Sequence, residues 1–290
     1  MDNRWNESDA AACKTELDMR VYSSRLLGAE PSLVLHGGGN TSVKAAFTNV
    51  FGDSVPALYV KGSGWDLKTI KAAGFPPVDL AYLKRLGALA SLSDVDMMRQ
   101  LRMALLDPSG PNPSVEAILH ATIPYKYVDH THADAVVTLS NTPFGTQLLS
   151  DLFGDEVLIL PYTMPGFVLA RQVAEAAMHI DWRRLKGIVL MHHGIFTFHE
   201  EARQSYSNMI DLVSKAEKHL AICSVSNMPI SNRCASGEDE LALAKLRKAA
   251  SRLFGAAVLV QWDKSDWACE FAALENADEL IQRGPLTPDH

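Results

Sequence analysis

Apolar positions recur at helical spacing over residues 8–28, with Ser8 placed to cap an amphipathic helix and Gly28 to end it. The pattern then shortens to that of strands. "SLVLHGGGNTSVKAAF" reads as a strand, a glycine-rich turn and a second strand, and "ALYVKGSGWDL" repeats the order of strand and glycine turn. Residues 79–106 return to a helical pattern. In "NPSVEAILHATI", Pro113 and Ser114 suit the first turn of a helix. "KYVDHTH" is a short strand, "ADAVVTLSN" a helix and "EVLILPY" a buried strand, followed by a helix over Pro165 to Met178. "GIVLMHHGIFTF" is an apolar strand interrupted at His192, His193 and Gly194, and a long helix runs from about Glu200 to Cys223.

Ser, Asn, Pro and Gly cluster over residues 224–240, which reads as a linker. Beyond it come a helix ("ELALAKLRKAASRLF"), a strand ("AAVLVQW") and further short helices. The expected organisation is a main α/β domain over 1–223 and a small α/β appendage over 241–290. A chain of 290 residues is long enough for one large core or two smaller ones.

Composition narrows the function classes. A net charge of −7 gives no general attraction to nucleic acid or an anionic membrane, so an anionic substrate needs a local site. No apolar run approaches the eighteen residues of a membrane span. The polar N-terminus has no hydrophobic signal core, and Cys13, Cys223, Cys234 and Cys269 contain no CxxC spacing. A reducing cytoplasm is expected, with neither a cysteine zinc site nor a disulfide framework.

Two histidines stand in "VDHTHADAVV". On a strand, His130 and His132 face the same side about 7 Å apart by rise, close enough to share one ion; on a helix they would diverge. Taken alone, such a pair is a metal clamp or an accident of composition. "VLMHHGIF" adds two histidines and a glycine inside an apolar strand, where an imidazole is costly unless hydrogen-bonded. Together they allow a three-imidazole zinc site with an open position, the arrangement of a catalytic zinc. Carbonic-anhydrase-like sites and cupins also use HxH; no Glu follows His132 at cupin spacing, and Asp134 is the only acid shortly after it.

"HGGGNTSVK" is not a Walker motif and does not complete GxGxxG, because Ser42 takes the third glycine position. Its glycines, with Asn and Thr, still offer backbone N–H groups for an anion-binding nest. "VKGSGWD" offers the same beside Lys61. Each loop alone is equally readable as a tight turn.

Five segments in order resemble the class II aldolase/adducin family: "GGGNTSVK", "KGSG", "PSVE", "HTH" and "HHG". "VKGSGWDL", "NPSVEAILHATIP" and "RGPLTPDH" are similar to the aldolase portion of bifunctional rhamnulose-1-phosphate aldolase/short-chain dehydrogenase proteins. The resemblance implies a single domain of α/β class with a central, mainly antiparallel sheet between helical layers. It implies one divalent ion per chain, Zn2+, held by His130, His132 and His193; His193 is preferred to His192 because the family's third ligand directly precedes the glycine. Glu116 would be the acid/base, and Asn40, Thr41, Ser63, Gly64 and Ser114 would surround a phosphate. Many relatives have a second serine where this chain has Val115.

The implied activity is cleavage of a ketose 1-phosphate, such as rhamnulose 1-phosphate, to dihydroxyacetone phosphate and an aldehyde. Alternatives within the family are pentulose-phosphate epimerisation and a non-catalytic, adducin-like assembly module. The expected partners are a small sugar phosphate and other copies of the chain, a homo-oligomer and by resemblance a tetramer. No complete dinucleotide fingerprint follows residue 200, so the chain reads as a stand-alone aldolase-type protein or as the aldolase part of a longer one.

Overall fold

A computed structural model describes residues 1–223, 240–261 and 265–289, the side chains of Cys223 and Trp267 excepted. The elements of the first part are α1 (Glu7–Ala11), α2 (Glu16–Gly28), β1 (Asn40–Thr48), β2 (Ser54–Val60), β3 (Pro77–Asp79), α3 (Leu80–Gly87), α4 (Asp94–Met103), α5 (Ala117–Thr122), β4 (Tyr127–Thr131), α6 (Asp134–Ser140), α7 (Gly145–Phe153), β5 (Val157–Leu160), α8 (Phe167–Ala177), β6 (Gly187–Leu190), β7 (Gly194–His199) and α9 (Ala202–Cys223).

The strands form one sheet in the order β3-β2-β1-β4-β7-β6-β5. Every pairing is antiparallel except β5 with β6. Alternation along the strands sends residues to two separate cores. Val189 and Ile195 pack with α2, α6, α7 and α9. Ile188, Leu190, Phe196 and Phe198 pack with α5 and α8 on the opposite face. Burying both faces in this way produces the expected α/β domain with a mainly antiparallel sheet between helical layers.

Several local expectations are corrected. The helix expected over 8–28 is two helices. Asn6, not Ser8, caps α1, and Thr15 starts α2 with a reciprocal capping box to Asp18. The strand expected at "SLVL" is a turn; Leu33 and Val34 are buried without entering the sheet, which begins at Asn40. Pro113 and Ser114 precede α5 instead of forming its first turn. In the second part, α10 (Glu240–Phe254), α11 (Asp266–Ala272) and α12 (Ala277–Leu280) are helical, but residues 256–261 of the expected strand are not a strand.

Among the described residues, 1–223 and 286–289 form one compact unit, and those between 240 and 285 form another. The expected linker, apart from Glu240, lies outside the described residues. Cys13 is free, and Cys269 is disulfide-bonded, which the cysteine spacing does not suggest. Among the described residues no helix is long and apolar enough to cross a membrane.

Candidate metal centre and active site

The site is assembled from β4, the β6–β7 turn, the start of β1 and the N-terminal end of α5. β4 and β1 pair so that His130 lies directly opposite Asn40. His130 is the next-to-last residue of β4, and its ring stacks on Phe196 of the neighbouring β7 with centroids 4.0 Å apart. His132 follows just beyond β4. His193 enters from the β6–β7 turn, where His192 takes a left-handed conformation (φ 58) and is exposed while His193 is buried. Gly194 is required at this turn: a Cβ there would run into the Thr131 carbonyl and crowd the His130 and His132 rings.

Among the described residues His130, His132 and His193 form a buried cluster, each with a nitrogen within 4.8 Å of the others'. Nδ1 of His130 faces the Ile195 carbonyl at 3.1 Å, and Nδ1 of His132 faces Asp289. Both partners accept hydrogen bonds, so each Nδ1 carries the proton and each Nε2 presents a lone pair. Those two Nε2 atoms are 3.1 Å apart. Two lone pairs at that distance repel unless a cation lies between them, and Zn–N bonds of about 2.0–2.1 Å at a tetrahedral angle place such nitrogens at a similar separation. Burial holds His130 well below the usual histidine range and His193 at about 4, which favours neutral, ligating imidazoles. The donor set therefore fits a divalent ion.

Glu116 closes the cluster. Its Oε2 is 3.6 Å from Nε2 of His130 and its Oε1 is 3.7 Å from Nε2 of His193. Oε2 accepts from Asn40 Nδ2 at 2.6 Å, whereas Oε1 is buried with no hydrogen-bond partner. An orphaned carboxylate oxygen aimed at imidazole nitrogens is costly without a cation or a proton. Burial raises the Glu116 pKa above the ordinary carboxylate range, against the lowering effects of Asn40, His132 and Lys61. The residue stands at the N-cap of α5 without making a side-chain cap, so its carboxylate is left for the site.

A relay behind Glu116 was not anticipated. Asn40 Oδ1 pairs with His120 Nε2, and His120 Nδ1 pairs with Ser42 Oγ at 2.8 Å. An Asn carbonyl can only accept, so His120 donates from Nε2 and the Asn40 amide is forced to point Nδ2 at Glu116. Burial keeps His120 far below the usual histidine range and therefore neutral. The only sequence signal was its place four residues after Glu116, on one face of α5.

The residues expected around a phosphate divide. Asn40, Ser114 and Glu116 are together: Ser114 Oγ accepts from Asn40 Nδ2 and from the Glu116 amide, each at 3.2 Å. Ser63 and Gly64 are exposed on the second loop, which is joined to this segment by a bridge between Gly62 and Pro113 and by the Ser63 amide on the Asn112 carbonyl at 2.8 Å. Thr41 is corrected: strand alternation turns its side chain to the other face of β1, where it is buried and its hydroxyl pairs with Ser24 at 2.7 Å. Lys61 is buried and donates to the carbonyls of Gly37 at 2.5 Å and Gly39 at 3.0 Å, pinning the glycine loop; burial lowers its pKa to about 8.

Residues 20–220 match the class II aldolase and adducin N-terminal domain, and the chain belongs to that family. The N-terminal class II aldolase domain of a conserved protein from Thermoplasma acidophilum is 38% identical, with a TM-score of 0.70 over 76% of this chain and 99% of that one. A sugar-phosphate aldolase from Thermotoga maritima shares the fold at 14% identity and a TM-score of 0.51, over 71% of this chain and 95% of that one. A Bacillus subtilis (strain 168) protein named uncharacterized oxidoreductase YuxG is 33% identical over 216 residues, which are 74% of this chain. The match spans only 31% of that longer relative.

Proposed function

We propose that the protein is a metal-dependent aldolase that cleaves a ketose 1-phosphate, with Zn2+ held by His130, His132 and His193. The observation carrying this reading is the buried three-histidine cluster facing the unpartnered Oε1 of Glu116. A zinc ion bound there would act as a Lewis acid on substrate oxygens, so that no lysine Schiff base is needed.

The chain's own residues would handle the proton and the anion. Glu116 takes the proton released during C–C cleavage and returns it to the nucleophilic carbon of the ketose fragment; its raised pKa brings it closer to working pH. Asn40 and His120 hold the accepting carboxylate in one orientation. Ser63, Gly64 and Ser114 offer directed donors for the phosphate on the solvent side. The test combines metal analysis of the purified protein with a panel of sugar phosphates and free ketoses in a coupled aldehyde assay. One zinc per chain and aldehyde release from a ketose 1-phosphate are expected. A protein without bound metal, or one that isomerises a pentulose phosphate without net cleavage, refutes the reading.

A further inference from the structure

Residues 286–289 return to the first unit, where Thr287 is buried. They carry Asp289, which lies beyond the family match at 20–220, into the metal centre. Its Oδ1 accepts from Nδ1 of His132, and its Oδ2 accepts from the Leu35 amide at 2.8 Å. The side chain is only 2% exposed, and each of its two carboxylate oxygens meets one of these donors. The glycine loop makes room for it: a Cβ on Gly38 would run into the Asp289 carboxylate.

We propose that Asp289 is a positioning residue for the metal centre, seated in the glycine loop and holding His132 with Nδ1 protonated and Nε2 aimed at the ion. The inference rests on the metal-centre reading above. Ile195 does the corresponding work for His130 through a neutral carbonyl. A carboxylate on the far nitrogen does more, because its charge makes the imidazole a better electron donor as well as fixing the ring. The seat also has a consequence for substrate. A phosphate dianion placed at Leu35 and Gly38 would meet the Asp289 carboxylate, so the anionic end of a substrate is directed to the second loop at Ser63 and Gly64. The glycine-rich loop thus serves the chain's own acid in place of the expected phosphate.

The test uses the full chain as wild type, Asp289→Ala, Asp289→Asn and Gly38→Ala, with zinc affinity measured by chelator competition and the thermal midpoint of each metal-free protein recorded. Asp289→Ala should weaken zinc binding about 10–100-fold, with the metal-free protein still folded at the assay temperature. Asp289→Asn keeps an acceptor without the charge and should fall between. Gly38→Ala should push the carboxylate off its seat and reproduce the loss. Nitrogen-detected NMR of the metal-free protein should show a protonated Nδ1 on His132 in the wild type and a mixture of tautomers in Asp289→Ala. A wild type that binds zinc beside an Asp289→Ala protein of equal affinity overturns the inference alone. So does a loss of zinc that merely tracks unfolding of the metal-free variant. A wild type that binds no divalent ion overturns the metal centre and this inference together.

Discussion

Replacing Glu116 by glutamine separates proton transfer from metal binding and folding. In the wild type one carboxylate oxygen accepts from Asn40 at 2.6 Å, and the other is buried without a partner, 3.7 Å from Nε2 of His193. The glutamine carbonyl can keep the Asn40 bond, and its NH2 takes the place of the orphaned oxygen. Shape and the one hydrogen bond are retained, while the ability to accept a proton is lost. General acid–base catalysis contributes about 10²–10⁴-fold, or roughly 2.7–5.5 kcal/mol at about 1.36 kcal/mol per decade. Turnover of the ketose 1-phosphate should fall by that factor at unchanged zinc content, and the ketose fragment should stop exchanging its proton with solvent. Stability should move the other way. Burial raises the Glu116 pKa, so the metal-free wild type loses stability as pH rises through that raised value, and Glu116→Gln lacks this loss. Near-normal turnover in a zinc-loaded Glu116→Gln protein would refute the role of Glu116.

Three further changes probe other parts of the molecule. His193→Ala should abolish tight zinc binding in chelator competition, whereas His192→Ala, altering an exposed side chain at the same turn, should retain most of it. Ser63→Ala should raise KM for a ketose phosphate far more than for the free ketose; Asn40→Ala should lower kcat for both, because its amide also orients Glu116. Lys44 donates to the carbonyls of His120, Ile123 and Tyr125 at 3.0, 2.7 and 2.5 Å around the C-terminal end of α5. Lys44→Met leaves these acceptors without their donor, at about 1–3 kcal/mol for a buried orphan, and should lower the thermal midpoint measurably by calorimetry.

Much of the site was legible as linear pattern. The HxH spacing puts His130 in β4 and His132 one residue past its end, and the His-Gly break turns the chain between β6 and β7, because strand alternation and a sharp turn are local properties of a few residues. The same locality misled at "SLVL". Its apolar residues are buried, but by packing in a turn, which the pattern cannot tell from a strand. Ser8 was a reasonable cap on pattern alone, yet Asn6 and Thr15 captured the exposed amides because their side chains lie at the two actual helix starts.

Local sequence established the kinds of group present: three imidazoles able to meet, a carboxylate at a helix start and two glycine loops. Their assignments depended on distant pairings. Strand pairing set Asn40 against His130, which made the asparagine a holder of Glu116, and alternation carried the adjacent Thr41 to the other face. His132 and Asp289 lie 157 residues apart along the chain, and no periodicity or spacing links them. Their contact exists because the tail returns to the first unit and the glycine loop leaves space for a carboxylate where any side chain on Gly38 would stand. Hydrogen-bond direction, and with it which nitrogen of each histidine is free for a metal, is decided by such neighbours and by nothing written beside the histidines themselves.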